Sequence, residues 1–170
     1  MLGNSDIHAT AGLAYDFGAG EHRPMTLVFA KAKNESSIKE ALLAGRTAVY
    51  RDKLLIGRKE SLDPLYKASI DVLQNDLSLR GKGSAALQIR NRSDVPMELV
   101  STAPNDDLTV PEKITVPAHR MVIFGIRAKQ EKAGVQKEYR LPYTVKNLLV
   151  APGKGLPVEI VVKVQYLSSK

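Results

Sequence analysis

Near residue 80 the spacing of the apolar residues changes from a mixture of helical and strand periods to almost unbroken alternation, and no single regular architecture accommodates both halves. In the first half, residues 26–30 (TLVFA) form a short continuous apolar run, the pattern of a strand buried on both faces. Ile38, Ala41 and Leu42 then recur at helical spacing behind Ser37 and Glu40, which stand at capping-box distance, and Gly45 supplies a stop. Residues 47–50 and 54–56 read as short strands. Leu62, Leu65, Tyr66, Ser69 and Leu73 mark one face of a second helix, with Pro64 placed in its first turn, where a missing N–H costs nothing.

The run RGKGS at residues 80–84 ends the helical pattern, which sets two domains, 1–80 and 81–170. Beyond it, Ala85, Leu87 and Ile89 alternate with Ala86, Gln88 and Arg90. Further strands are predicted at 97–101, 113–116, 120–127, 140–145 and 158–166, separated by Pro-, Asn-, Asp- and Gly-bearing turns. Short strands with turns at intervals of ~10 residues predict an antiparallel β-sandwich of immunoglobulin-like size. The fold class is therefore α+β, a short α/β segment followed by the sandwich.

Composition removes several function classes. The absence of cysteine excludes a disulfide framework, a zinc ribbon and thiol catalysis. The longest apolar runs, such as 148–151 and 158–162, are strand-sized and fall short of the ~20 residues of a membrane-spanning helix. Residues 1–6 have neither the basic segment nor the apolar core of an export leader. The net charge of +7 arises almost wholly after Arg80, where 14 basic residues face 8 acidic ones. Those cations are dispersed and few aromatics sit among them to stack on bases, so a solvated surface is expected and no nucleic-acid partner.

The residues most able to do chemistry gather at the N-terminus: Asp6, His8, Asp16, Glu21, His22 and Arg23. Two positions apart in an extended segment, Asp6 and His8 project to one side and suit a metal, for which zinc, manganese and iron are all acceptable. His22 and Arg23, held by Pro24 ahead of the apolar run, could add a third nitrogen and a guanidinium for phosphate. Gly81-Lys82-Gly83-Ser84 and Gly153-Lys154-Gly155 lack the spacing of a phosphate loop and read as a linker and a hairpin turn. His119 reads as a solvated turn residue. Tyr139, Tyr143 and Tyr166 read as core-edge residues, with a carbohydrate-binding face as the alternative.

The segments NSDIH (4–8), YDF (15–17) and HRP (22–24), leading into TLVFA and a helix ending EALLAGRT (40–47), resemble the closing part of a PHP-family (polymerase and histidinol phosphatase) phosphoesterase. The group called Sb-PDE-type phosphodiesterases, in which a β-rich extension follows the barrel, is the most similar, and the stretch 138–159 fits that extension. The resemblance implies a (β/α) barrel in which divalent metals activate water against a phosphorus ester. It also implies that Asp6 and His8 are metal ligands, and that His22 and Arg23 lie on the phosphate side of the pocket. The family's early H-x-H pair, further histidines and a glutamate have no counterpart here, since the chain holds only His8, His22 and His119. The expectation is a C-terminal part of a PHP protein, inactive alone and with no metal of its own firmly expected. Its partner would be the missing N-terminal portion of the barrel, and self-association is expected through the apolar strand that the barrel would have covered. Relatives of this type commonly carry an export signal, which implies a periplasmic or exported location. The competing reading is a non-catalytic sandwich that binds carbohydrate or protein.

Overall fold

The computed structural model describes residues 2–5, 8, 10–19 and 21–168. It divides into two units: Met1–Leu65 with Asn147–Leu156, and Tyr66–Lys146 with Pro157–Lys170.

The first unit begins with a short helix α1 (Ala11–Ala14) and a single 3-10 turn (Phe17–Ala19). Strands β1 (Met25–Val28), β2 (Thr47–Arg51) and β3 (Leu54–Gly57) then form an antiparallel row, with helix α2 (Glu35–Leu43) between β1 and β2. Contrary to the expectation of a strand covered on both faces, β1 is only half-buried, because it ends the row and pairs with β2 alone among the described residues. The helix start also lies earlier than the capping-box spacing placed it. Asn34 is the cap: its backbone is extended and its side-chain oxygen accepts from the Ser37 amide at 2.9 Å. Asparagine is at least as good a cap as serine, so Ser37 and Glu40 fall inside the helix. At the other end Gly45 takes φ +67°, its amide bonds the Leu42 carbonyl, and the Arg46 amide bonds the Ala41 carbonyl. That pair of bonds is the Schellman stop. Arg46 then ties the helix to β1, donating from Nε to the Phe29 carbonyl and pairing bidentately with Glu40.

Helix α3 (Lys59–Ser69) starts five residues before Pro64, which therefore sits in its interior and leaves the Glu60 carbonyl without a helical donor. Leu62 of α3 comes against Gly57, where a Cβ would lie 3.1 Å from Ala48 Cβ and 3.4 Å from a Leu62 methyl; glycine permits the close approach.

The second unit holds two sheets. One has the order β4 (Ile70–Val72), β6 (Ser84–Asn91), β10 (Met121–Ala128), β8 (Leu108–Thr109), all antiparallel. The other contains β5 (Asp76–Arg80), β7 (Met97–Ser101), β9 (Lys113–Val116) and the parts of the long strands β11 (Gln136–Ala151) and β12 (Lys154–Leu167) outside Asn147–Leu156, the stretch that belongs to the first unit. The turn between β11 and β12 is Pro152-Gly153, with Gly153 at φ +68°. Period-two alternation buries one face of each strand: Leu87 and Ile89 of β6, Leu99 of β7, and Ile160, Val162 and Val164 of β12 are almost fully covered. Each such side chain contributes about 1.5–3 kcal/mol through the area removed from water. Two pairings are parallel, β5 with β12 and β3 with the tip of β11.

Two polar groups organise this interior. Asn91 is 1% exposed and fully satisfied: its amide donates to the Val95 carbonyl at 2.7 Å and to the Val116 carbonyl at 3.2 Å, while its oxygen accepts from the Ser93 amide and hydroxyl. Tyr139 and Tyr166 touch through their hydroxyls at 2.7 Å, and Tyr139 donates to Asp107 at 2.9 Å, so Tyr166 supplies the proton between the two phenols. Asp107 also receives Lys132 at 2.6 Å and Lys137 at 2.9 Å. Lys132, Lys137 and the Tyr139 hydroxyl hold the Asp107 carboxyl well below the usual carboxylate range, and burial pushes the Tyr139 hydroxyl up.

Replacing Asn91 with Ala removes these bonds from a buried position and leaves the Val95 carbonyl to the Ser93 hydroxyl alone, so a loss of about 2 kcal/mol is expected, seen as a lower urea midpoint at unchanged slope. A depressed folded-state pKa stabilises the fold above the unfolded value of ~3.9, and that contribution fades as pH falls toward the folded value. Asp107→Asn is therefore expected to lower the melting temperature at pH 7 and to flatten its decline between pH 5 and pH 3. An unchanged acid limb would show that Asp107 carries no such linkage.

Candidate functional site

Gly3 is held against β1 by one threonine. The Gly3 amide donates to Thr26 Oγ1 at 2.9 Å and the same hydroxyl donates to the Gly3 carbonyl at 3.2 Å. A Cβ at Gly3 would lie 2.4 Å from a Val49 methyl, so glycine alone fits at that crossing. Beside it is a hollow of about 380 Å³ lined by Gly3, Asn4, Ser5, His8, Arg23, Pro24 and Met25. Of the site residues expected from the sequence, His8 and Arg23 meet here across fifteen positions of chain. Asp6 lies outside the described residues.

His22 does not line this hollow. Its ring stacks on Tyr50 with centroids 4.0 Å apart, and Nδ1 donates to the Arg23 carbonyl at 2.9 Å. That bond puts the proton on Nδ1 and leaves Nε2 as an acceptor, which is buried without a hydrogen-bond partner. Tyr50, the other half of the stack, carries no chemical motif of its own, and only its place opposite Met25 in the β1–β2 register could have pointed to it. Asp16 and Glu21 close their own loop: the Asp16 amide donates to the Glu21 carboxylate at 2.9 Å and the Glu21 amide to the Asp16 carbonyl at 3.0 Å.

The hollow contains one imidazole beside one guanidinium, and no group of three or more His, Cys, Asp or Glu side chains suited to a metal ion occurs among the described residues. A divalent cation needs more donors than His8 provides and is repelled by Arg23, so the described residues do not by themselves fit a metal. They suit an anion better, since Arg23 can fork onto a phosphoryl oxygen with Asn4 and Ser5 beside it.

In the second unit, the three tyrosines considered for sugar binding are buried, with Tyr139 at 5% and both Tyr143 and Tyr166 at 1% exposure. Their rings offer no face to a carbohydrate. Tyr143 donates to the Pro111 carbonyl at 2.8 Å. His119 is an exposed turn residue at φ +55°, its Nε2 2.7 Å from Asp94.

The family model DUF5001, described as an Ig-like domain, matches residues 70–161. Among solved structures, the chain is similar to a two-domain protein containing a predicted PHP-like metal-dependent phosphoesterase from Bacteroides vulgatus. The identity is 36% and the TM-score 0.83, over 95% of this chain and 45% of that one. The chain thus spans less than half the length of that structure. A search among curated proteins yields no match.

The His22 arrangement is directly measurable. Long-range proton–nitrogen spectra at neutral pH are expected to show the Nδ1–H tautomer; an Nε2–H signature would contradict the bond to the Arg23 carbonyl.

Proposed function

The chain belongs to the Ig-like domain family, and on that premise we propose that it is the C-terminal part of a PHP-like metal-dependent phosphoesterase. The observation that carries this reading is the likeness, at 36% identity over 95% of this chain, to a two-domain protein of that description. Residues 1–80 would close the phosphoesterase part, and residues 81–170 would form a supporting sandwich with no chemistry of its own. In the parent enzyme a metal-activated water would be the nucleophile. Asp6 and His8 would be this chain's contribution to the ligand set, completed by residues from elsewhere. Arg23, exposed at the rim of the hollow, would hold a phosphoryl oxygen, and His22, braced by Tyr50, would keep the Arg23 backbone in place through its Nδ1 bond.

The same reading makes the chain inactive alone, because one imidazole and one guanidinium cannot hold the metal ions that would activate the water. Incubated with a chromogenic phosphodiester and manganese or zinc, the purified 170-residue chain is expected to give no turnover above a metal-only blank. Hydrolysis that scales with protein and disappears on chelation would overturn the assignment of incompleteness.

A further inference from the structure

The two units differ sharply in how they use their apolar residues. Among the described residues, only six of twenty-eight buried apolar residues lie in the first unit, namely Ala41, Ala48, Leu55, Leu62, Leu148 and Leu156, although that unit holds nearly half the chain. Of the twelve large apolar side chains left exposed among the described residues, seven lie there. A fold that buries so little and exposes so much has part of its interior supplied from outside.

Helix α2 locates that missing interior. Its buried residue is Ala41, a single methyl, while Ile38, Leu42 and Leu43 are 39%, 43% and 81% exposed. Ile38 and Leu42 are one helical turn apart on the same face, so the helix points its larger apolar groups toward solvent, the reverse of a helix packed only on its own sheet. They line a hollow of about 570 Å³ with Lys33, Asn34, Glu35 and Lys39. In the same unit β1 has a strand on one edge only among the described residues, so its other edge still offers backbone groups to a neighbour.

We propose that the solvent face of α2, centred on Ile38, Leu42 and Leu43, is the docking surface for the remaining portion of the phosphoesterase part of the PHP-like protein, the portion that residues 1–80 would close. This rests on the functional reading above and names the surface through which the two parts join. The occupant follows from the comparison: the matched structure has two domains, α2 lies within the matched stretch, and more than half of that protein falls outside it. Charge argues against a second copy, because the walls of the hollow carry two lysines and one glutamate, and a two-fold contact would bring two net positive walls together. The surface on the phosphoesterase part should accordingly be apolar with an acidic rim.

The chain has no cysteine, so Leu42→Cys introduces a single thiol that reports on this face. In the isolated chain it should react with a maleimide as an open thiol. At the aligned position of the full two-domain Bacteroides vulgatus protein, read by peptide-resolved mass spectrometry, labelling should be at least about 100-fold slower, as for a group reached only through local opening. Equal rates in the two proteins overturn the proposal. So does slow labelling of the isolated chain that speeds up on dilution, since a second copy would then be the occupant. Thermal melting shows whether the substituted chain is folded, and Leu43→Cys repeats the comparison where it is not. Metal-dependent phosphodiester hydrolysis by the unlabelled two-domain protein is measured in parallel. Protection without hydrolysis leaves the docking surface standing and removes the functional reading, whereas hydrolysis without protection removes the docking surface.

Discussion

A phenol hydroxyl taken out of water must keep a partner, and in the second unit two of them are satisfied by each other and then by one carboxylate. Tyr166 of β12 gives its proton to Tyr139 of β11, Tyr139 gives its own to Asp107, and Asp107 is neutralised by Lys132 and Lys137. An unpaired polar atom at this depth costs of the order of 1–3 kcal/mol, so the chain has few alternatives to this order. It fixes the register of the two longest strands against the loop before β8. It also sets the direction of that loop, in which the Asn105 side chain accepts the amides of Asp107 and Leu108. The aromatic residues that a sequence alone would offer to a sugar are thereby committed to holding the sandwich closed.

Alternation made most of the sandwich legible. The stretches 97–101 and 113–116 coincide with β7 and β9. Failure came where tertiary pairing overrides local period. Leu73 continues the helical face of Leu62, Leu65, Tyr66 and Ser69, yet the chain leaves the helix at Ser69 because residues 70–72 pair with β6. The adjoining β5, with Leu77 and Leu79 buried between polar neighbours, has the period-two signature in plain form, but the extended helical reading ran up to it. The half-covered state of residues 26–28 was hidden for a related reason, since an apolar run reports a preference for burial and not the presence of a covering layer.

The candidate site was legible as a set of residue types and not as a place. Asp6, His8, His22 and Arg23 stand out by chemistry, but only the Thr26 hydroxyl and the absence of a side chain at Gly3 put His8 beside Arg23. Neither feature belongs to a catalytic motif. His22, adjacent to Arg23 in sequence, takes a separate position because Tyr50 provides a ring to lie on. The poor burial of the first unit, among the described residues, accords with the proposal that other chain completes both its site and its core.

The parallel pairing of β5 with β12 bears on the order of events during synthesis. Val164 lies beside Leu77, 87 positions later in the chain. Contacts of such sequence separation are slow to form, because a long loop must close before any burial rewards it. As the polypeptide leaves the ribosome, β5 stays open along that edge until residues 163–167 have also emerged. The buried side of the sandwich therefore closes only once β12 has been made. Everything encoded ahead of β5 has that interval in which to fold or to meet its neighbours first.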